Sequence, residues 1–112
     1  MGKFVISKRG NGEFQFNLKA DNSQVILTSE GYTTKAACEN GIESVKANAQ
    51  DDSRFERKES KNGKPYFNLK SANHQIIGTS EMYESNTAME NGIASVKKNA
   101  PKAEVVEELV AA

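Results

Sequence analysis

The chain carries one sequence twice. Residues 4–49, moved along by 51 positions, fall on residues 55–100 without a gap, and 24 of the 46 positions are identical. Phe16-Asn17-Leu18-Lys19 falls on Phe67-Asn68-Leu69-Lys70, Thr28-Ser29-Glu30 on Thr79-Ser80-Glu81, and Glu39-Asn40-Gly41-Ile42 on Glu90-Asn91-Gly92-Ile93. The duplication limits the fold to arrangements in which two similar units complete each other. It also filters function, because a property that rests on one unmatched residue is not shared by both copies. Each copy is only about 50 residues, a size at which a lone unit buries too little surface to be safely stable without a disulfide, a metal or a partner. The single cysteine, Cys38, is matched by Met89, so no internal disulfide forms and the position reads as apolar core.

Within a copy, Phe4 and Ile6 alternate with Val5 and Ser7, and Phe14, Phe16 and Leu18 alternate with Gln15 and Asn17. A period of two with aromatic residues marks half-buried strands. Between them stand Arg9-Gly10-Asn11-Gly12 and, in the second copy, Ser60-Lys61-Asn62-Gly63, whose Asn-Gly pairs supply the positive φ of a hairpin turn. Asp21-Asn22 and Ala72-Asn73 mark a further turn, and Val25-Ile26-Leu27 and Ile76-Ile77 make a third strand. From Thr33 the period changes. Cys38, Gly41, Ile42, Val45 and Ala49 recur at spacings of three and four, as do Met89, Gly92, Ile93, Val96 and Ala100. Thr33 or Thr34, and Ser85, are placed to cap these helices, with Lys46, Lys97 and Lys98 near their C-terminal ends. A glycine inside each helix costs about 1 kcal/mol against alanine. Its presence in both copies predicts a helix pressed close against a sheet or against its twin.

Each copy is therefore β-β-β-α. The same period carries Phe55 onto Val106, so Ala103 to Glu107 takes the place of the first strand of a third copy and is predicted to be an extra strand. The expected protein is one α+β domain over residues 1–112, made of repeat 1 (3–51), repeat 2 (54–102) and a C-terminal strand and tail (103–112). It has a single antiparallel sheet, both helices on one face and a pseudo-twofold axis between the halves, which makes a monomer with the internal symmetry of a dimer.

The strand Gly63 to Lys70, the segment Gly78 to Tyr83 and the helix Asn91 to Ala100 together resemble the YegP-like family of small bacterial proteins, and the resemblance covers nearly the whole chain in tandem. It implies two β-β-β-α-β units that complete one sheet by exchanging their C-terminal strands. It implies no activity and no catalytic residues. The first copy departs at Gly12-Glu13-Phe14-Gln15, where the second has Gly63-Lys64-Pro65-Tyr66, and at Leu27 in place of Gly78.

Charges balance at 15 basic against 15 acidic residues, unlike the uniformly basic footprint of a strong nucleic-acid binder. No apolar stretch reaches membrane-spanning length and the N-terminus reads as folded sequence, so a cytoplasmic location is expected. The one histidine, His74, lies beside a turn and is matched by Ser23, and with one His and one Cys the usual Zn ligands cannot be gathered in one chain. No glycine-rich phosphate loop is present and no cofactor is expected. What remains is a duplicated polar segment between third strand and helix: Thr28, Ser29, Glu30 and Tyr32, with Thr79, Ser80, Glu81 and Tyr83. These residues satisfy backbone amides or contact a ligand. The leading expectation is a non-enzymatic binding or interaction module for a protein or small ligand. Asn17, Lys19, Asn68 and Lys70, on a sheet face away from the helices, raise single-stranded nucleic acid as an alternative. An enzyme built on the Ser/Glu/Tyr cluster is the second alternative.

Overall fold

The two strand alternations and the turn between them lay down the same three-stranded meander in each half. The computed structural model describes residues 2–108. In the first half β1 (Lys3–Lys8), β2 (Phe14–Lys19) and β3 (Val25–Thr28) lead into α1 (Lys35–Asn48). In the second, β4 (Phe55–Glu59), β5 (Pro65–Lys70) and β6 (Ile76–Thr79) lead into α2 (Asn86–Asn99), and β7 (Glu104–Glu108) follows. Thr34 and Ser85 cap the helices, their hydroxyls accepting from the N–H of Ala37 at 3.1 Å and of Ala88 at 3.0 Å. In the first hairpins only the glycines, Gly12 and Gly63, have positive φ. Asn11 acts through its side chain instead, accepting from the Glu13 N–H at 3.0 Å.

All seven strands join one sheet in the order β4-β5-β6-β3-β2-β1-β7. Phe4, Ile6, Phe16, Leu18 and Leu27, with Phe55, Phe67 and Leu69, form its buried face. The ring pair Phe4 and Phe16, edge to face at 5.7 Å, recurs as Phe55 and Phe67 at 5.5 Å. Each helix serves both halves. α1 packs on β2 of its own copy and on β5 and β6 of the other, while α2 packs on β5 and reaches across to β3. A register shift at Leu18/Lys19 lets two consecutive residues of β3, Ile26 and Leu27, both be buried.

The halves meet at β3 and β6 through one paired position, Thr28 opposite Thr79. At this seam the pseudo-symmetry breaks for a steric reason. A Cβ on Gly78 would stand 2.6 Å from Leu27 Cγ and 2.7 Å from its Cδ2. The space beside the axis holds one leucine, so the matched position is glycine.

The expectation of an antiparallel sheet holds for every pairing except one: β7 runs parallel to β1, with Phe4 opposite Val105 and Val5 opposite Val106. The axis explains this. The strand after α1 enters the second half as β4, and the equivalent path from α2 leads into the first half along the direction of β1. The place of β1 is already filled, so β7 lies outside it and parallel, tied to α1 by an ion pair between Lys35 and Glu107. The predicted strand is thus present one residue later than expected, and residues 109–112 of the predicted tail lie outside the described residues. Stopping the chain after Lys102 strips β1 of this neighbour. We expect a melting temperature lower by several degrees, at about 4–8 °C per kcal/mol for a domain of this size. An unchanged melting curve would contradict a structural role for β7.

Candidate functional site

Thr28 and Thr79 sit on the sheet face opposite the helices, where strand alternation also places Asn17 and Asn68. Around them is a concavity of about 530 Å³. Thr28, Ser29 and Glu30 line it from one copy and Thr79, Ser80 and Glu81 from the other, with Val25, Ile76 and Gly78 as the apolar part. Six of the eight residues singled out by the duplication thus come together on the pseudo-twofold axis, in one shared site, whereas two copies of the segment taken separately predict two similar sites.

Their local chemistry is unequal. Ser29 replaces strand pairing where β3 turns off towards the helix: its N–H donates to the Phe16 carbonyl at 2.9 Å and its hydroxyl accepts from the Phe16 N–H at 2.9 Å. The same hydroxyl donates to the Glu30 carbonyl at 2.8 Å. Ser80 repeats this with Phe67 and Glu81. Both serines are buried and committed to the main chain. Thr79 donates to Asn68 Oδ1 at 2.8 Å, and Asn68 and Lys70 both reach Glu56. Glu30 and Glu81 remain exposed at the rim.

Tyr32 and Tyr83 belong to the helix side. Each ring lies nearly parallel to a core phenylalanine, Tyr32 on Phe16 and Tyr83 on Phe67, both at 6.3 Å. A Cβ on Gly41 would fall 2.8 Å from Tyr32 Cζ, and one on Gly92 2.6 Å from Tyr83 Cζ. The helix glycines are therefore explained by close approach to a phenol. Burial pushes both phenol pKa values up, with Glu30 and Glu81 adding to the effect. Cys38 is fully buried, and desolvation pushes its thiol up to about 11, away from a reactive thiolate. His74 is exposed at φ 67°, like its match Ser23.

Past the tyrosines, each helix borders a groove against the turn of the opposite copy. The groove beside α1 is about 520 Å³ and is lined by Tyr32, Asn40, Ser44 and Asn48 with Asn73 and Gln75. Beside α2, the matched residues line two smaller cavities of about 200 and 370 Å³. The sequence reading passed over these residues because it followed only the apolar helix stripe. Asn40, Ser44 and Asn48, spaced by four on one side of the helix, and Asn91, Ser95 and Asn99 are identical across the 51-residue shift. That identity was the available signal.

Comparison with known proteins bears on the same duplication. A family model described as a domain of unknown function (DUF1508) matches residues 10–56 and again 60–107. Each match starts at a hairpin turn and ends in the strand after the helix, β4 or β7, the two strands that cross to the other half. A UPF0339 protein in the ptx operon 5' region of Stutzerimonas stutzeri is 56% identical over 106 residues, covering 95% of this chain and 96% of that protein. The UPF0339 protein YegP of Escherichia coli O157:H7 is 55% identical over 98 residues, covering 88% and 89%. The solution NMR structure of the E. coli protein of unknown function yegP superposes with a TM-score of 0.94 at 49% identity, covering 99% of this chain and 96% of that one. A UPF0339 protein from Shewanella oneidensis, also solved by NMR, gives 0.90 at 52% identity, covering 95% and 90%.

Proposed function

The chain belongs to the family described as a domain of unknown function, DUF1508, and since that description carries no activity we propose from its own geometry that it is a non-enzymatic binding module. Its contact surface in this reading is the concavity at the β3–β6 seam, and the protein acts as a cytoplasmic monomer with internal twofold symmetry. One observation carries the proposal: six duplicated polar residues converge there, so both copies contribute the same groups to one site. The serine hydroxyls are held by main-chain atoms and serve as fixed architecture. Thr28, Thr79 and the exposed carboxylates of Glu30 and Glu81 are the groups a partner meets.

The charge pattern favours a protein or small ligand over nucleic acid. On the open sheet face Lys70 is paired with Glu56 at 2.9 Å. A phosphate would have to displace that carboxylate and pass Glu30 and Glu81. Among the described residues no helix is long and apolar enough to cross a membrane.

The test is site-specific photocrosslinking in bacterial cells, with the photoreactive residue at Val25 in the concavity or at Glu43 on the outer side of α1. A discrete adduct is expected from Val25 and not from Glu43, and the joint change Glu30→Lys with Glu81→Lys should abolish it. Identical adducts from both positions, or none from Val25, would overturn the assignment. An adduct that is nucleic acid would replace it with the nucleic-acid reading.

A further inference from the structure

The groove beside α1 adjoins the seam concavity, with Glu30 and Ile76 lining both, but the rest of its lining is of another kind. Asn48 Nδ2 donates to the Ser44 carbonyl at 2.8 Å and to its hydroxyl at 3.2 Å, which fixes the amide and leaves its oxygen as a positioned acceptor. The side chains of Asn40 and Gln75 and the Tyr32 hydroxyl make no hydrogen bond among the described residues. The lining thus offers amide donors, amide acceptors and a phenol, while Ala37, Gly41 and Ile77 supply apolar contact. Its one charged group is Glu30.

We propose that this groove binds a neutral polyhydroxylated ligand of the saccharide class. An anionic ligand would meet a carboxylate and no cation there. A purely apolar ligand would leave Asn40, Gln75 and the phenol without partners, at a desolvation cost that hydroxyl groups avoid. Vicinal hydroxyls donate and accept at once, which matches an amide that does the same, and the C–H face of a sugar ring suits the apolar part. A volume of about 520 Å³ falls within the range of ligand pockets, roughly 300–1,000 Å³.

The duplication sharpens the proposal. The α2 groove carries the matched asparagines and serine in two adjoining cavities that share Asn22, Asn91 and Ser95, but Asp21 and Lys98 bring charges there where the matched positions are Ala72 and Ala47. The chain start closes its far end: a Cβ on Gly2 would stand 2.8 Å from Asn99 Cβ, and Asn99 is buried where Asn48 is only half-buried. Binding is therefore assigned to the α1 groove alone, one ligand per chain.

The experiment is a titration of the full ¹⁵N-labelled chain, followed by NMR, with glucose, maltose, N-acetylglucosamine and di-N-acetylchitobiose. At least one sugar should give saturable shifts centred on Asn40, Gly41, Asn73 and Gln75, in the millimolar range or tighter. The double change Asn40→Ala with Gln75→Ala should weaken binding at least tenfold while the rest of the spectrum is retained. The matched change Asn91→Ala with Gln24→Ala should leave it within twofold. Three results would overturn the proposal: no saturable shift with any of the four sugars, equal loss in both double variants, or tetraalanine shifting the same residues more strongly than every sugar.

Discussion

Residues 1–51 expressed alone will not fold as a monomer. In the whole chain β1 pairs with β7, β3 meets β6, and α1 covers β5 and β6 as well as β2. The fragment loses all three neighbours. It keeps a three-stranded meander with an unpartnered edge at β3 and a helix whose buried residues Ile42 and Val45 face partly missing strands. A unit of about 50 residues has little stability in reserve for such losses. Circular dichroism with light scattering should show either an unfolded chain or a dimer in which a second copy replaces repeat 2. A folded monomer would refute mutual completion of the halves.

Gly78→Leu is expected to be strongly destabilising, because its first side-chain atom already falls 2.6 Å from Leu27 Cγ. Overpacking a filled core costs about 1–3 kcal/mol and more where the backbone must move. Leu27→Gly removes a fully buried leucine and should cost at least as much as a buried leucine-to-alanine change, about 2–5 kcal/mol. Exchanging the pair, Leu27→Gly with Gly78→Leu, moves the single leucine to the other side of the axis and should recover much of that loss. In urea denaturation the cycle should give a favourable coupling of about 1 kcal/mol or more. Simple additivity would mean that the two positions do not share one space.

The parts of this fold legible in the sequence are those with a local signal. Phe16 and Leu18 announce their strand by alternation, Thr33-Thr34 and Ser85 announce the helix starts, and the 51-residue period announces β7 through Val105 and Val106. The direction of β7 left no such trace, because a strand of five residues reads alike parallel or antiparallel; the twofold path from helix to strand decides it. The glycine of each helix was legible as a close approach, but its partner, a tyrosine from the preceding loop, was not. For the candidate site, the duplicated Thr-Ser-Glu segment was visible, while its convergence on one axis depends on which strands meet at the seam. Tyr32 and Tyr83 shared that segment by sequence adjacency, yet β3 ends between Thr28 and Tyr32, and the chain turns the phenol to the helix side.

The central claim is that two copies form one cooperative sheet through the Thr28–Thr79 seam. Amide-resolved denaturation by NMR tests it most directly, in the natural chain and in Gly78→Leu, with Phe16 reporting on the first half and Phe67 on the second. The account predicts one shared midpoint for both amides in the natural chain and an equal drop of both in the variant. Two separate midpoints, or a drop confined to Phe67, would show two independently folding repeats and contradict it.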